Sequence, residues 1–388
     1  MEKIKLGIIG AGVIGRHHAE VASKLGEYQL VAVADAVEEK ARELASLYGV
    51  RAYRSFEELL DREELDVISI CTPHPTHYEV AIEALKRGIH VLTEKPMAAT
   101  VSQCLSMITE ARKRGVKLGV VFQYRFEPRL RRAKSLIASG ALGELYRGYM
   151  RYVTYRDMAY FYSAQWRGKW VSEGGGVLIN QGVHFIDIFI WLMGRMPFEV
   201  FAYGGTVGHD IEVEDLISAV AVYENECQAM LQLSTLDYPD MFNVEIRGDR
   251  GMLLVETSPK PGELGLMNLQ SVYAYRNEPP IRKAIYASIK PGAPKLVFSI
   301  EEIKAEESFM GHEAVYRDFA RALIEGREPE VPGEEGLKSV ELVNAIIMSA
   351  VEHKPVRIPL NPIEYDKLLD RLIKSRSPPW PQLVRKIE

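Results

Sequence analysis

A chain that begins KIKLGIIGAGVIGRHHAEV after its first two residues has few folds open to it. Residues 4 to 9 are a short apolar run, Gly10, Gly12 and Gly15 follow as G-x-G-x-x-G, a helical pattern extends through Leu25, and the β-branched run LVAVAD occupies 30 to 35. This is a β-α-β unit whose first turn is built from glycines. The first glycine permits a tight turn, the second lets backbone approach a pyrophosphate, and the third lets the helix pack close to the strand. Val13 and Ile14 complete the turn, and the unpaired amides at the helix start, with the helix dipole, favour phosphate charge there. Asp35 stands 20 residues after Gly15 at the end of the second strand. Its carboxylate can hydrogen-bond the adenosine ribose hydroxyls and repel a 2′-phosphate, so the turn reads as an NAD site in preference to an NADP site.

The same alternation continues. Strand-like runs at 66–71, 89–92 and 117–121 are separated by helical patterns at about 76–87 and 100–114. Parallel strands need such crossovers, so the fold class is α/β, an N-terminal Rossmann doubly wound parallel sheet. From about residue 123 the period changes to two, in runs at 145–153, 198–204, 216–223, 227–234 and 242–248. The connections ENE (224–226) and GDRG (248–251) are short enough to permit only antiparallel neighbours. We expect a dinucleotide-binding domain over 1–122 and a substrate-binding, oligomerising α+β domain over 123–388, with a large, mostly antiparallel open sheet. The segment 258–297, rich in proline, glycine and lysine, reads as a long excursion over a site or partner. Helices are expected at about 311–325, capped by Gly326, and 334–351. The tail SPPWPQLVRKIE reads as a strap, an oligomer contact or a mobile end. An open sheet needs a cover, so a homodimer or homotetramer is expected.

Composition limits the partners. With a formal net charge of -5 the chain exerts no long-range pull on nucleic acid or an anionic membrane. Cys71, Cys104 and Cys227 lack metal-cluster spacing and fit a reducing compartment. The start runs straight into a strand without signal-peptide features, and no apolar run approaches ~18 residues, which gives a cytoplasmic expectation. The pairs His17/His18 and His74/His77 have no carboxylate or thiol at zinc-like spacing, so no metal is expected. The basic run RLRRAK (129–134) reads as a solvated helix face.

A second chemical signal is GGGVLINQGVHFIDIFIWLMG, residues 174–194. Its right-hand part reads as a helix apolar almost all round, yet Asn180, His184, Asp187 and Trp191 recur at steps of four, three and four, which fall on one stripe at roughly 100° per residue. Oxidising a secondary alcohol needs a base for the hydroxyl proton, and a histidine titrates nearest neutrality, so His184 is the candidate base. Asn180 can hydrogen-bond a hydroxyl but cannot take its proton. Asp187 reads as an orienting or capping group and Trp191 as core. Gly182 and the glycines at 174–176 are expected to allow close approach of backbone and ligand. The bland alternative is a buried seam whose polar groups satisfy one another. Trp166 and Arg167, in WRGKW just upstream, are candidates for a wall against a sugar face.

Between these signals lies THYEVAIEALKRGIHVLTEKP, preceded by Thr72 and Pro73 and ending in Glu94, Lys95 and Pro96. Here the chain resembles the Gfo/Idh/MocA oxidoreductase family, over residues 4 to about 200 and more loosely over 310–360. The resemblance implies NAD-dependent oxidation of a secondary ring hydroxyl of a sugar, sugar acid, inositol or nucleotide sugar to a ketone, or the reverse. It places Lys95 between nicotinamide and substrate, Thr72, Pro73, His77 and Glu94 along the cofactor, and Arg125, with Tyr124, on the substrate. The family signature G-G-G-x-x-x-D-x-G-x-H-x-x-D is met except that Asn180 replaces its aspartate, so the carboxylate role does not carry over. Some relatives that act on nucleotide-linked N-acetylated uronic sugars share this asparagine, which keeps oxidation at C3 open. Independently of the resemblance, Lys95 follows a strand at the carboxyl edge of the sheet, where burial and a positive ring both favour its neutral form. The Lys95–Pro96 bond is a candidate for the cis form. Two rival functions stay open: a glycosidase-type enzyme that retains its NAD, and a non-catalytic dinucleotide-sensing regulator.

Overall fold

The computed structural model describes residues 2–257, 269–287, 289, 291–305 and 310–380, which form two compact units. The first comprises Met1–Phe126, Val171–Gly174 and Met310–Val340. Its sheet holds β1 (Ile4–Ile9), β2 (Tyr28–Ala34), β3 (Arg51–Tyr53), β4 (Val67–Ile70), β5 (His90–Thr93) and β6 (Leu118–Val120) in the order β3-β2-β1-β4-β5-β6, every pair parallel. All four residues of β4 are buried, as in a strand covered on both faces, with Ser69 the one polar residue among three aliphatic ones. The chain punctuates its helices locally. Thr100 Oγ1 accepts from the Gln103 amide at the start of helix Val101–Arg114, and Gly115 ends that helix in the left-handed conformation at φ 69°. Strand β3, only three residues long, carries too short a pattern to be read in advance.

The strand order reverses between β1 and β4, so the carboxyl ends of those two strands form the crevice where doubly wound sheets take ligands. The returning segment completes this unit. Helix His312–Glu325 is tied down by a 2.8 Å hydrogen bond from Tyr28 Oη to the Tyr316 carbonyl. Gly119 leaves room for the Phe319 ring, which would stand 2.8 Å from a Cβ there.

The second unit comprises Glu127–Trp170, Gly175–Phe309 and Glu341–Glu388. Its strands are β7 (Leu145–Tyr155), β8 (Glu199–Gly205), β9 (Leu216–Val222), β10 (Gln228–Ser234), β11 (Leu236–Gly248), β12 (Gly251–Thr257), β13 (Leu269–Glu278), β14 (Val297–Glu302) and β15 (Val356–Arg357). They make one sheet in the order β14-β13-β12-β11-β7-β10-β9-β8-β15, antiparallel except between β7 and β10. Burial alternates along β8 and β9, so one face is covered and the other presents Phe201, Val220 and Met230 as an exposed row across three strands.

Helix Val183–Met193 lies on the covered face, where Phe185 stacks on Tyr152 at 4.0 Å and Gly148 makes room for Phe189. Nine of its residues are buried, which accounts for a sequence apolar almost all round. The excursion expected over 258–297 is corrected in part: β13 and helix Ile281–Ala287 fall within it, while 258–268, 288 and 290 lie outside the described residues. Of the tail, Trp380 is a strap, buried edge-on to Trp170 with Nε1 donating to Thr206 Oγ1 at 2.6 Å, and 381–388 lie outside the described residues. No helix among the described residues is long and apolar enough to cross a membrane.

Candidate active site

The glycine turn sits at the carboxyl end of β1, and each glycine has its own reason. Gly10 has φ 100°, and a Cβ there would meet the Cys71 carbonyl at 2.6 Å. A Cβ on Gly15 would lie 1.8 Å from the Gly10 oxygen. At Gly12 it would meet nothing within 4 Å. The first and third glycines are therefore required by the protein itself, and the second borders open space. Val13, beside it, is 91% exposed. Asp35 braces the turn, with Oδ2 accepting from the Ala11 amide at 2.7 Å and Oδ1 from Val37 at 2.8 Å. Each oxygen keeps a further lone pair for a ribose hydroxyl. An open helix N-terminus, a glycine facing space and a carboxylate at the end of β2 fit a dinucleotide.

Lys95 follows β5 in the same unit, half-buried, and its peptide bond to Pro96 is cis. Burial lowers the Lys95 amine from its ordinary value, while the charges of Glu94 and Glu173 oppose that shift. Glu173 is buried, and sequence reasoning gave it no role. Thr72 and Pro73 are accessible, with the Thr72 hydroxyl accepting from Thr76 at 2.8 Å. His77 is fully buried. Its ring bridges the Pro96 and Thr72 carbonyls, 2.8 Å to each, and so clamps the Lys95–Pro96 turn onto helix His77–Lys86.

Glu94 is the centre of a buried network. Oε1 takes hydrogen bonds from His18 Nε2 at 3.1 Å and His312 Nε2 at 3.4 Å, and Oε2 takes the Lys95 amide at 3.2 Å. His18 Nδ1 faces Ser69 Oγ at 2.9 Å, and the Tyr316 hydroxyl donates to the same Ser69 oxygen at 2.9 Å. Burial alone would raise the Glu94 carboxyl, but the two imidazole hydrogen bonds hold it well below the ordinary range. His18, Glu94 and His312 are also the group of possible metal-ligating residues among those described, their ligand atoms within 4.8 Å of one another. Local spacing could not assemble that trio, because His312 lies far along the chain.

Arg125 and Tyr124 are buried in the turn after β6. The Arg125 guanidinium bonds Glu335 Oε2 at 3.0 Å, and burial pushes the Tyr124 phenol up to about 12.

In the second unit, helix Val183–Met193 carries His184, Asp187 and Trp191 of the expected stripe, and Asn180 stands in the turn before it. His184 and Trp191 are half-buried and Asp187 is buried, so Trp191 is not the core residue expected. The glycines of this turn also differ from expectation. A Cβ on Gly176 would strike the Glu214 carbonyl oxygen at 1.9 Å, and one on Gly182 would strike Leu233 at 2.3 Å. Protein packing demands glycine there. Glu214 was not anticipated: its Oε1 accepts from the Gly176 and Leu178 amides at 2.8 and 3.2 Å, and burial pushes its carboxyl up to about 7. Tyr160 was missed as well. Its hydroxyl takes hydrogen bonds from Asn180 Nδ2 at 3.2 Å and Gln181 Nε2 at 3.0 Å. The Arg167 guanidinium lies 4.0 Å from the centre of the Tyr160 ring and 5.3 Å from that of Trp166. Arg167 also lines a cleft of about 450 Å³ with Phe161, Lys169, Glu212 and Arg376.

Comparison with known proteins agrees with this anatomy. Residues 4–122 match the family profile described as oxidoreductase family, NAD-binding Rossmann fold, and residues 130–254 match the Gfo/Idh/MocA C-terminal domain. Myo-inositol 2-dehydrogenase of Thermotoga maritima is 25% identical over 364 residues, which span 92% of this chain and 98% of that protein. D-glucoside 3-dehydrogenase of Escherichia coli is 33% identical over 196 residues, 49% of this chain and 54% of that protein. Among solved structures, the WlbA dehydrogenase of Bordetella pertussis, in complex with NADH and UDP-GlcNAcA, superposes with a TM-score of 0.78 at 28% identity, over 93% of this chain and 100% of that one.

Proposed function

The chain belongs to the Gfo/Idh/MocA oxidoreductase family, and we propose that it is an NAD-dependent dehydrogenase that oxidises a secondary ring hydroxyl of a sugar, cyclitol or nucleotide sugar to a ketone, or runs the reverse reduction. The observation that carries this reading is the conjunction in one unit of a glycine turn open at Gly12 with a half-buried lysine whose amine burial brings toward its neutral form. The cofactor supplies the hydride acceptor. Gly10, Gly12, Val13, Ile14 and Gly15 hold its pyrophosphate, Asp35 its adenosine ribose, and Thr72, Pro73 and Glu94 border it, with His77 fixing the turn that carries Lys95. Asp35, with lone pairs left for a ribose hydroxyl beyond its bonds to Ala11 and Val37 and a charge that would oppose a 2′-phosphate, favours NAD over NADP.

In this scheme Lys95 orients and polarises the substrate hydroxyl, His184 takes its proton, and Asn180, Tyr124 and Arg125 hold neighbouring hydroxyls, with Trp166 and Arg167 toward the far end of the sugar. Asparagine at 180 leaves His184 without a carboxylate at that position, so the imidazolium formed there relies on other groups. Sugar-type substrates find support in the relatives' names, inositol 2-dehydrogenase among them, and a nucleotide sugar in the ligand of the WlbA complex. The exposed row Phe201, Val220 and Met230 supports self-association through the sheet face, to be read by sedimentation.

The test is NADH absorbance against a panel of sugars, inositols and nucleotide sugars, with Lys95→Ala and His184→Ala as controls. A substrate turned over by the wild type, with rate losses of about 10²-fold or more in both variants, is expected. Wild-type turnover in both variants refutes the assignment, and glycoside cleavage without NADH build-up selects the cofactor-retaining alternative.

A further inference from the structure

His209, in the loop between β8 and β9, is bonded in a way that favours its charged form. Nδ1 lies 2.9 Å from Asp215 Oδ2, and Nε2 lies 2.7 Å from the Arg156 carbonyl oxygen. Both partners are acceptors, and the imidazolium, with two N–H donors, serves both at once. Its countercharge is at hand. Asp215 is fully buried and also accepts from the amides of Val207, Gly208 and His209 at 2.7, 2.9 and 3.0 Å, which holds the carboxylate in place. The charged groups facing the ring are Asp215 and Asp157, and the Phe161 ring covers one side with its centroid 4.8 Å away. Burial pulls the imidazole down, but the bonds to Asp215 and the Arg156 carbonyl lift it above its ordinary value. His77 is the contrast. It too faces two acceptor oxygens, but both are neutral carbonyls, and there burial prevails and the value falls; the Asp215 carboxylate is what distinguishes His209.

The Arg156 carbonyl opens the segment that delivers Tyr160. Asp157 caps the short helix Met158–Tyr162 by accepting from the Tyr160 amide at 2.8 Å. Arg167 holds the other end, donating to the Tyr160 carbonyl at 2.9 Å. The Tyr160 hydroxyl then takes the side-chain amides of Asn180 and Gln181.

We propose that His209 is a positioning residue, held as a buried imidazolium that staples the 156–160 segment, so that the Tyr160 hydroxyl sets the direction of the Asn180 amide for substrate binding. The proposal rests on the role given above to Asn180, and it adds a residue that makes no contact with substrate. It predicts that substrate affinity weakens as pH rises and the imidazolium is lost, while the chemical step is spared.

The test uses the full chain with ¹⁵N-labelled histidine and asparagine, His209→Gln and Asn180→Asp serving to assign the signals. At pH 6, below its ordinary value, the His209 ring is expected to give two protonated-nitrogen shifts, and the Asn180 side-chain amide to move with the His209 titration. In kinetics, KM of the wild type rises with pH across that titration at constant kcat. His209→Gln shows KM raised about tenfold at every pH, the size of roughly one hydrogen bond, with kcat within about threefold. Tyr160→Phe reproduces the KM increase while keeping the imidazolium signals, and this second variant decides the matter should His209→Gln fail to fold. A neutral His209 ring at pH 6, an Asn180 signal that ignores the titration, or an unchanged KM in Tyr160→Phe overturns the proposal. If no polyol is oxidised at all, the functional reading falls, and the two NMR signals still decide the staple.

Discussion

Glu94 and His18, separated by 76 positions in the chain, are joined by a 3.1 Å hydrogen bond between Oε1 and Nε2, and His312 reaches the same oxygen from the returning segment. Two imidazole donors on one carboxylate oxygen favour its ionised form despite burial. That charge stands next to Lys95 in the chain and raises the amine that burial lowers. The network therefore bears on the protonation of the proposed catalytic lysine.

Removing the Glu94 charge tests this. In Glu94→Gln the amine loses its neighbouring anion, so the ionisation assigned to Lys95 in the pH profile of kcat/KM is expected to move to lower pH. A profile that stays in place after the substitution separates Glu94 from Lys95.

Glu214 gives a stability prediction. Its folded carboxyl titrates at about 7, against an ordinary 4.5, so between those values the folded state holds a proton that the unfolded chain has released. Stability from this group is full below the lower value and declines as pH rises through the higher one. Glu214→Gln keeps an oxygen for the Gly176 and Leu178 amides without the titration. Its melting temperature relative to wild type should climb from pH 5 to pH 8, by the equivalent of roughly 2.5 kcal/mol. A constant difference across that range counts against a protonated Glu214.

The glycine turn separates fold from ligand. A methyl group on Gly15 would lie 1.8 Å from the Gly10 oxygen, so Gly15→Ala is expected to cost more than about 4 kcal/mol and to abolish expression of folded protein. The same group on Gly12 meets open space. Gly12→Ala should melt within about 1 kcal/mol of wild type while binding NAD at least tenfold more weakly, as followed by calorimetry. Equal binding by the two proteins would show that no phosphate approaches Gly12.

Cofactor choice is assigned to Asp35. In Asp35→Asn the ratio of kcat/KM for NAD to that for NADP should fall at least about tenfold, because the anion that opposes a 2′-phosphate is gone. Initial rates with both cofactors measure it, and an unchanged ratio moves the determinant elsewhere.

What the sequence made legible was whatever is written in local period and punctuation. Gly10 and Gly12 sit between β1 and helix Val13–Lys24, whose first turn holds Gly15, and the sequence alone placed the three at the strand-to-helix turn. The period-two runs located β7 through β11, and Gly326 marked the end of helix His312–Glu325. The reason given for Gly176 and Gly182 missed, because what fills their missing side chains is Glu214 backbone and Leu233. Tyr160, Glu214, His312 and Glu173 were illegible for the same cause: each acts through a partner brought near only by folding, and their own neighbours in sequence carry no periodic signal.

The three-segment composition of the first unit has a consequence for biosynthesis. Residues Met1–Phe126 emerge from the ribosome well before Met310–Val340, which carry Tyr316, Phe319 and His312. Until that late segment appears, Gly119 faces no aromatic ring and the Glu94 carboxylate has only one of its two imidazoles. The nucleotide-binding half thus lacks helix His312–Glu325 until nearly the whole polypeptide is made, and a nascent chain stalled before residue 310 would be exposed to chaperones and proteases with all six strands of its first sheet present but without that helix packed against them.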